Sequence, residues 1–417
     1  MAKTLLLGAA LLMLAASPGR SAPVQRSTKP HDPLRWAYAD TPEGVRVLVP
    51  VVDADPVRGV TAGVMPVWVA LSSGGLRDIL APSLTYNATV GVAGNLDYYH
   101  FPSSDAVFEA YASLAERSDR EVYLFWQSAP MDVLGITWTG QAQHLRDANR
   151  RFYGLGPDAP LSAETDYTLA TWNASGSVDV PTMPGSPAAV RLGSHIQGVK
   201  ILPGPRRGIP DVEAKHPGAA NGRQRLVDAA FRAAAVYDTR DSKLTASRGL
   251  YAEAFTEAAR DGWLSDMTYE RYGAELKAFR PFGAGPEPSA ILAGECGFSR
   301  LYGSVPFWTL PSLGGKYSHR GYGDGRFVDH AAATAQTELR LRVATARVSG
   351  QPVSFWLDPF FGGGFVAPAL GEARMRTVRP FYGAAVRAVV RPQVVGAADF
   401  AFGQEGLKVF VDLNYAF

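Results

Sequence analysis

The sequence holds a single cysteine, Cys296, in 417 residues, so no intrachain disulfide can form. It is also short of charge: Asp, Glu, Lys and Arg make up 19%, against about 25% in ordinary soluble domains. The 41 basic and 39 acidic residues leave a net charge of +2, which supplies no overall field to draw nucleic acid. After residue 20 no run approaches 18 consecutive apolar residues, which excludes a helical membrane span. Gly-x-Ser-x-Gly, His-Glu-x-x-His and Gly-x-x-x-x-Gly-Lys-Ser/Thr are all missing. The seven histidines, His31, His100, His144, His195, His216, His319 and His330, are scattered without ligand spacing. The expectation is therefore a protein with no catalytic residues, no metal site and no cofactor.

What is present is patterned at both ends. Lys3 precedes the apolar stretch Leu5 to Ala16, and small residues and a turn follow through Ala22, the layout of a secretory signal peptide over residues 1–22. Near the terminus, Leu407, Val409, Val411, Leu413, Tyr415 and Phe417 are apolar at every second position, which predicts a strand over 407–417 with one greasy face. Between the ends, segments of about ten residues alternate in the same way, and sixteen strands are expected. In one, Thr337, Leu339, Leu341 and Val343 interleave with Glu338, Arg340 and Arg342; in another, Tyr272, Ala274, Leu276 and Ala278 interleave with Arg271, Glu275 and Lys277. Charge at every second position needs a wet face opposite the apolar one. The longest connections, 144–163, 202–227, 304–333 and 362–380, fall at one rim, the asymmetry of a membrane barrel. Pro66 lies inside the first expected strand, 61–71, where it removes a ladder donor; this places it at the seam between first and last strands. Residues 45–52 are the other candidate for the first strand.

The stretch Gly314 to Asp329, with Arg320-Gly321-Tyr322 at its centre, is followed by Thr337-Glu338-Leu339-Arg340. Further motifs are Val305-Pro306-Phe307, Tyr237-Asp238-Thr239-Arg240-Asp241 with Arg248-Gly249, Phe152-Tyr153-Gly154-Leu155-Gly156, and Phe355-Trp356-Leu357-Asp358. This ordered set resembles the bacterial surface antigen barrel of the outer-membrane protein 85 superfamily, the BamA and TamA type. His319 departs from the pattern, which has an aliphatic residue there. The resemblance implies an all-β fold: a sixteen-stranded antiparallel transmembrane β-barrel over 45–417 whose sixth extracellular loop turns into the lumen. An arginine dipping into a barrel must meet carboxylates. Glu338 and Asp358 are the inward candidates by alternation, and the resemblance implies that Arg320 locks the loop through one or both. Gly321 would permit a tight turn at the loop tip, and Tyr322 would pack. Tyr415 and Phe417 would form a C-terminal barrel signal.

The resemblance further implies a location in the bacterial outer membrane. It also implies contact with outer-membrane lipids and lipopolysaccharide, and use of the barrel assembly machinery during the chain's own insertion. Residues 23–44 are too short and proline-rich for a periplasmic domain, so a barrel-only member without client-binding POTRA domains is expected. A periplasmic client is then a further expected contact, or a periplasmic partner protein that would supply the client-binding function in trans. The implied activity is insertion or translocation of proteins or lipids through the seam; the alternative is a passive structural barrel or pore.

Overall fold

Period-two alternation of apolar and polar side chains sorts the chain onto two surfaces, one facing a polar interior and the other facing outward. The computed structural model describes residues 38–41, 44–55, 59–72, 75–103, 105–117, 119–243, 245–283, 287–348, 351–390, 393–412 and 415–417. The expected signal peptide and most of the expected N-terminal tail lie outside them.

The first strands are β1 (Tyr38–Thr41), β2 (Gly44–Asp55), β3 (Gly59–Ser72), β4 (Gly75–Asn87), β5 (Gly91–Ser103), β6 (Ala106–Ala115) and β7 (Arg120–Gln127). There follow β8 (Thr137–Phe152), β9 (Thr165–Pro181), β10 (Ala188–Pro203), β11 (Leu226–Asp238), β12 (Gly249–Ala259), β13 (Tyr269–Phe282) and β14 (Ala290–Tyr302). A long connection holds the two-residue strands β15 (Ser312–Leu313) and β16 (Phe327–Val328), paired only to each other. The wall resumes with β17 (Ala331–Val348), β18 (Gln351–Ala367), β19 (Arg379–Val390), β20 (Gln393–Gly403) and β21 (Gly406–Asp412). Strands β2–β14 and β17–β21 pair antiparallel in chain order, and β21 meets β2 at Ala54↔Val411. Among the described residues this is a nearly closed antiparallel barrel of eighteen strands.

The expected sixteen is corrected at two places. Strand β2 covers the 45–52 alternative, and the expected strand 83–97 is two strands, β4 and β5, joined by a turn. In that turn Asn87 Oδ1 accepts the Thr89 amide at 2.8 Å and Gly91 takes a left-handed φ of 79°. The pairing Tyr86↔Val92 and Leu84↔Gly94 keeps even-numbered residues outward on both strands, so alternation runs straight through the turn. Pro66 is also moved: it lies in β3, paired to Leu48 of β2, one strand away from the seam. The β3–β4 ladder lapses between Val64↔Leu84 and Trp68↔Leu80, and this register sets Pro66 opposite Pro82. The two missing donors fall at one point of the wall.

Long connections, 153–164, 204–225, 303–330 and 368–378, do cluster at one rim, and those at the other, such as 128–136 and 182–187, are shorter. The outward face carries exposed apolar residues on successive strands, among them Leu276, Leu292, Leu339, Leu357, Val386 and Phe400. The inward face carries Glu253, Glu257, Gln336, Glu338, Arg340, Arg387 and Asp399, all buried. No helix is long and apolar enough to cross a membrane among the described residues.

Candidate functional site: an ion network beneath the long loop

Arg320 comes from the 303–330 connection and is completely buried. Its guanidinium donates from Nη1 to Glu338 Oε2 at 2.8 Å and to Asp399 Oδ2 at 3.0 Å. Nε and Nη2 both donate to Gln336 Oε1, at 3.2 and 3.0 Å. The guanidinium carbon lies 3.7 Å from the centre of the Phe360 ring, so its face is covered as well as its edges. Alternation explains why the acceptors converge: Gln336, Glu338 and Arg340 on β17, Asp358 on β18, Arg387 on β19 and Asp399 on β20 all sit on the inward face. Their outward neighbours Leu339, Leu357, Val386 and Phe400 are exposed.

Asp358 is not a partner of Arg320. Its carboxylate is taken by Arg387 Nη1, which also lies 3.3 Å from Glu338 Oε1, while Arg387 Nη2 reaches Asp399 Oδ1 at 3.3 Å. Arg340 Nε donates to Glu338 Oε1 at 2.8 Å. Three guanidiniums (Arg320, Arg340, Arg387) thus face three carboxylates (Glu338, Asp358, Asp399), all almost inaccessible to solvent. Balanced, mutually hydrogen-bonded charge is the condition under which burial of so many ions is tolerable. Sequence reading found Arg320 and Glu338 but missed Gln336, Arg387 and Asp399 and gave Arg340 no role. The signal for Arg387 and Asp399 was available, since each is a lone charge among apolar residues at an inward position.

Gly321 sits in a tight turn, in which the Tyr322 amide donates to the His319 carbonyl at 3.1 Å, but close approach is what demands glycine there. It lacks a left-handed φ; a Cβ there would lie 2.5 Å from Phe381 Cβ and 3.2 Å from Gly403 Cα. Tyr322 is fully buried, donating to the Pro380 carbonyl at 3.3 Å and accepting the Gln404 amide at 3.2 Å. His319, also fully buried, stacks on Tyr322 with ring centres 5.0 Å apart and meets Phe381 edge-on at 4.7 Å. Burial pushes its imidazole down to about 4. Gly362-Gly363-Gly364 of β18 leaves room for this: a Cβ at Gly364 would lie 3.3 Å from His319 and 3.0 Å from Leu313.

The other motifs tie the loop down. Phe307 stacks on Phe152 at 4.1 Å and meets Tyr167 edge-on at 5.4 Å. The Gly156 amide donates to the Val328 carbonyl at 2.9 Å. Arg326 pairs with Glu405 at 2.6 Å and donates to the Ala159 carbonyl at 2.8 Å. Asp238 and Arg240 instead form a local pair at 2.8 Å near the opposite rim.

The C-terminal aromatics are corrected too. Strand β21 ends at Asp412, and Tyr415 is buried, with the Arg340 guanidinium 3.7 Å over its ring and that of Arg387 4.7 Å away. Arg340 Nη2 donates to a Phe417 oxygen at 3.1 Å, and the Phe417 ring packs toward Phe279 at 6.4 Å. An aromatic face that alternation assigned outward is held inside because Arg340 offers both a cation and a donor.

Comparison with known proteins agrees with this architecture. Over 88% of its length the chain superposes on 74% of a BamA structure from Haemophilus ducreyi lacking POTRA domains 1-3, with TM-score 0.54 and 14% identity. CdiB from Acinetobacter baumannii matches over 89% of this chain and 59% of its own, with TM-score 0.45 and 12% identity. CdiB from Escherichia coli matches over 88% and 61%, with TM-score 0.48 and 10% identity. The chain therefore spans less than two thirds of either CdiB. No curated protein sequence matches it. Residues 147–379, more than half of the chain, match the Omp85 superfamily domain, and the chain belongs to that superfamily.

Proposed function

We propose that this chain is an outer-membrane barrel that inserts or translocates polypeptide or lipid through the seam between β2 and β21. The observation that carries the reading is the edge of β2. Along its other edge β2 makes twelve consecutive pairs with β3, from Gly44↔Ala70 to Asp55↔Gly59. On the seam edge the described residues give one registered pair to β21, Ala54↔Val411. The first residues of β2 pair on that edge with β1 instead, Tyr38↔Val47 to Thr41↔Gly44. Among the described residues this single registered pair joins β2 to β21, which supports the seam as the line along which the wall parts, and an edge paired so little is a template for an added strand. Strand β1 is the chain's own occupant of part of that template. Residence in the outer membrane is supported by superfamily membership and by the exposed apolar outer face. Folding of the 303–330 loop into the lumen is supported by the Arg320 contacts.

A passive barrel is the second reading, favoured by the neutral, densely bonded ion network, which stiffens one side of the wall. One experiment separates the two. In a Cys296→Ala background, Ala54→Cys and Val411→Cys are joined as a disulfide across the seam. An inserting barrel loses its ability to complement a deletion strain and regains it on reduction; complementation by the locked form overturns the seam proposal.

A further inference from the structure

A row of cations crosses the outward face near the long-loop rim. Leu114 pairs with Arg120, Arg120 with Arg146, Arg146 with Ala170 and Ala170 with Lys200, so directly opposed positions on β6 to β10 share one line. The inward neighbours set the direction. Glu121 is buried and takes Gln143, and Thr171 and Val199 are buried, whereas Leu114 is 69% exposed. Like charges directly opposite on a sheet repel, yet Arg120 and Arg146 occupy such a pair. Among the described residues, neither they nor Lys200 form an ion pair. Nearby carboxylates are engaged elsewhere: Asp119 accepts the Ala148 amide at 2.8 Å and the Asn149 side chain at 3.2 Å, and Asp147 pairs with Arg150 at 2.9 Å. Arg146 Nε is shielded from solvent and has no hydrogen-bond acceptor among the described residues.

One outward step below this row lie Val122, His144 and Trp172, the indole covering Gly198 so closely that a Cβ there would meet Trp172 Nε1 at 2.4 Å. The next step is Leu124, Ala142, Ala174 and Ile196. Cations, then an indole, then aliphatics is the order of a wall passing from lipid headgroups into hydrocarbon.

We propose that Arg120, Arg146 and Lys200 bind a membrane lipid whose headgroup carries more than one phosphate. Strands lie about 4.8 Å apart, so the row spans roughly 14 Å. That is too wide for a single phosphate, and arginine grips phosphate oxygens in pairs. The proposal rests on the reading of the chain as a membrane barrel with its long loops at the headgroup level.

The test compares the folded full-length chain with an Arg120→Gln/Arg146→Gln/Lys200→Gln variant in neutral detergent, with bound lipid measured by native mass spectrometry. The probes are bisphosphorylated lipid A, its monophosphorylated form, phosphatidylethanolamine and inorganic phosphate. The unmodified chain should retain bisphosphorylated lipid A at least about tenfold better than the triple variant, and better than the other two lipids. Arg280→Gln, at the opposite rim, should retain it fully. Equal retention by the triple variant, or displacement of the lipid by a tenfold excess of inorganic phosphate, overturns the proposal. Heat-modifiable mobility and flotation with membranes, expected of both proteins, keep the two readings apart: their loss in the unmodified chain would sink the barrel reading itself.

Discussion

Arg320 and Asp399 meet at 3.0 Å on the inner face, though 79 residues separate them in the chain. The bond ties the 303–330 connection to β20, one strand from the seam strand β21. Removing one partner of a buried pair costs about 3 to 5 kcal/mol where no other ion compensates. Here Arg387 remains beside Asp399, so Arg320→Ala should cost toward the lower end while leaving the barrel assembled. Asp399→Asn should lower the temperature of the heat-modifiable gel shift and open the loop to limited proteolysis near Lys316. Asp358→Asn, whose partner is Arg387, should leave the loop protected. Equal proteolysis of the two variants would show that the loop is not held through Asp399.

The second half of the barrel was legible because its strands separate polar from apolar residues cleanly. Strands β13 and β17 show period two without help from context. The first strands do not: Met65, Val67, Val69, Ile79 and Ala81 form a buried apolar cluster, while Val64, Trp68, Leu80 and Leu84 are exposed. Apolar residues on both faces erase the alternation by which β2 would be placed and the β4–β5 turn found. At the site, Arg320 and its partner Glu338 were readable, but its second carboxylate depended on cross-strand register. Asp358 and Asp399 are both lone inward carboxylates, and only the stagger of β18 to β20 decides which one Arg320 reaches.

Gly321 should tolerate no side chain. Phe381 Cβ and the Gly403 backbone are fixed points, not ends of flexible chains, so the neighbours cannot yield cheaply. Gly321→Ala is expected to destabilise by roughly 1 to 3 kcal/mol through overpacking. Gly403→Ala should resemble it, since its Cβ would meet the Gly321 carbonyl oxygen at 2.4 Å. Measured together by the temperature of the gel shift, the two should be less than additive, because either one already parts the same contact.

His319 makes the loop sensitive to acid. Its folded-state value of about 4 lies below the ordinary 6.5, so the unfolded chain binds the extra proton first. The contribution is fully present above about pH 6.5 and is lost as pH falls toward 4, up to about 3 kcal/mol in all. Thermal midpoints followed across that range should fall for the native chain and less steeply for His319→Phe. Parallel curves would exclude His319 as the titrating group.

The opposed prolines allow a prediction in the stabilising direction. In the β3–β4 register, Pro66 and Pro82 face each other, and the ladder lapses on both sides of that point. The neighbouring ladders continue, through Leu48↔Pro66 and Pro82↔Leu96, so the absent amides both aim into the β3–β4 gap. Replacing either proline by valine restores a donor opposite a waiting carbonyl, worth about 0.5 to 1.5 kcal/mol, provided the strand keeps its extended backbone. Pro66→Val and Pro82→Val should each raise the unfolding temperature, and the double variant should raise it further. Slower amide hydrogen exchange confined to residues 64–68 and 80–84 would locate the gain in this ladder. If instead the variants destabilise the barrel, the gap is held open by packing within the buried Met65 and Val67 cluster, and missing donors are not its cause.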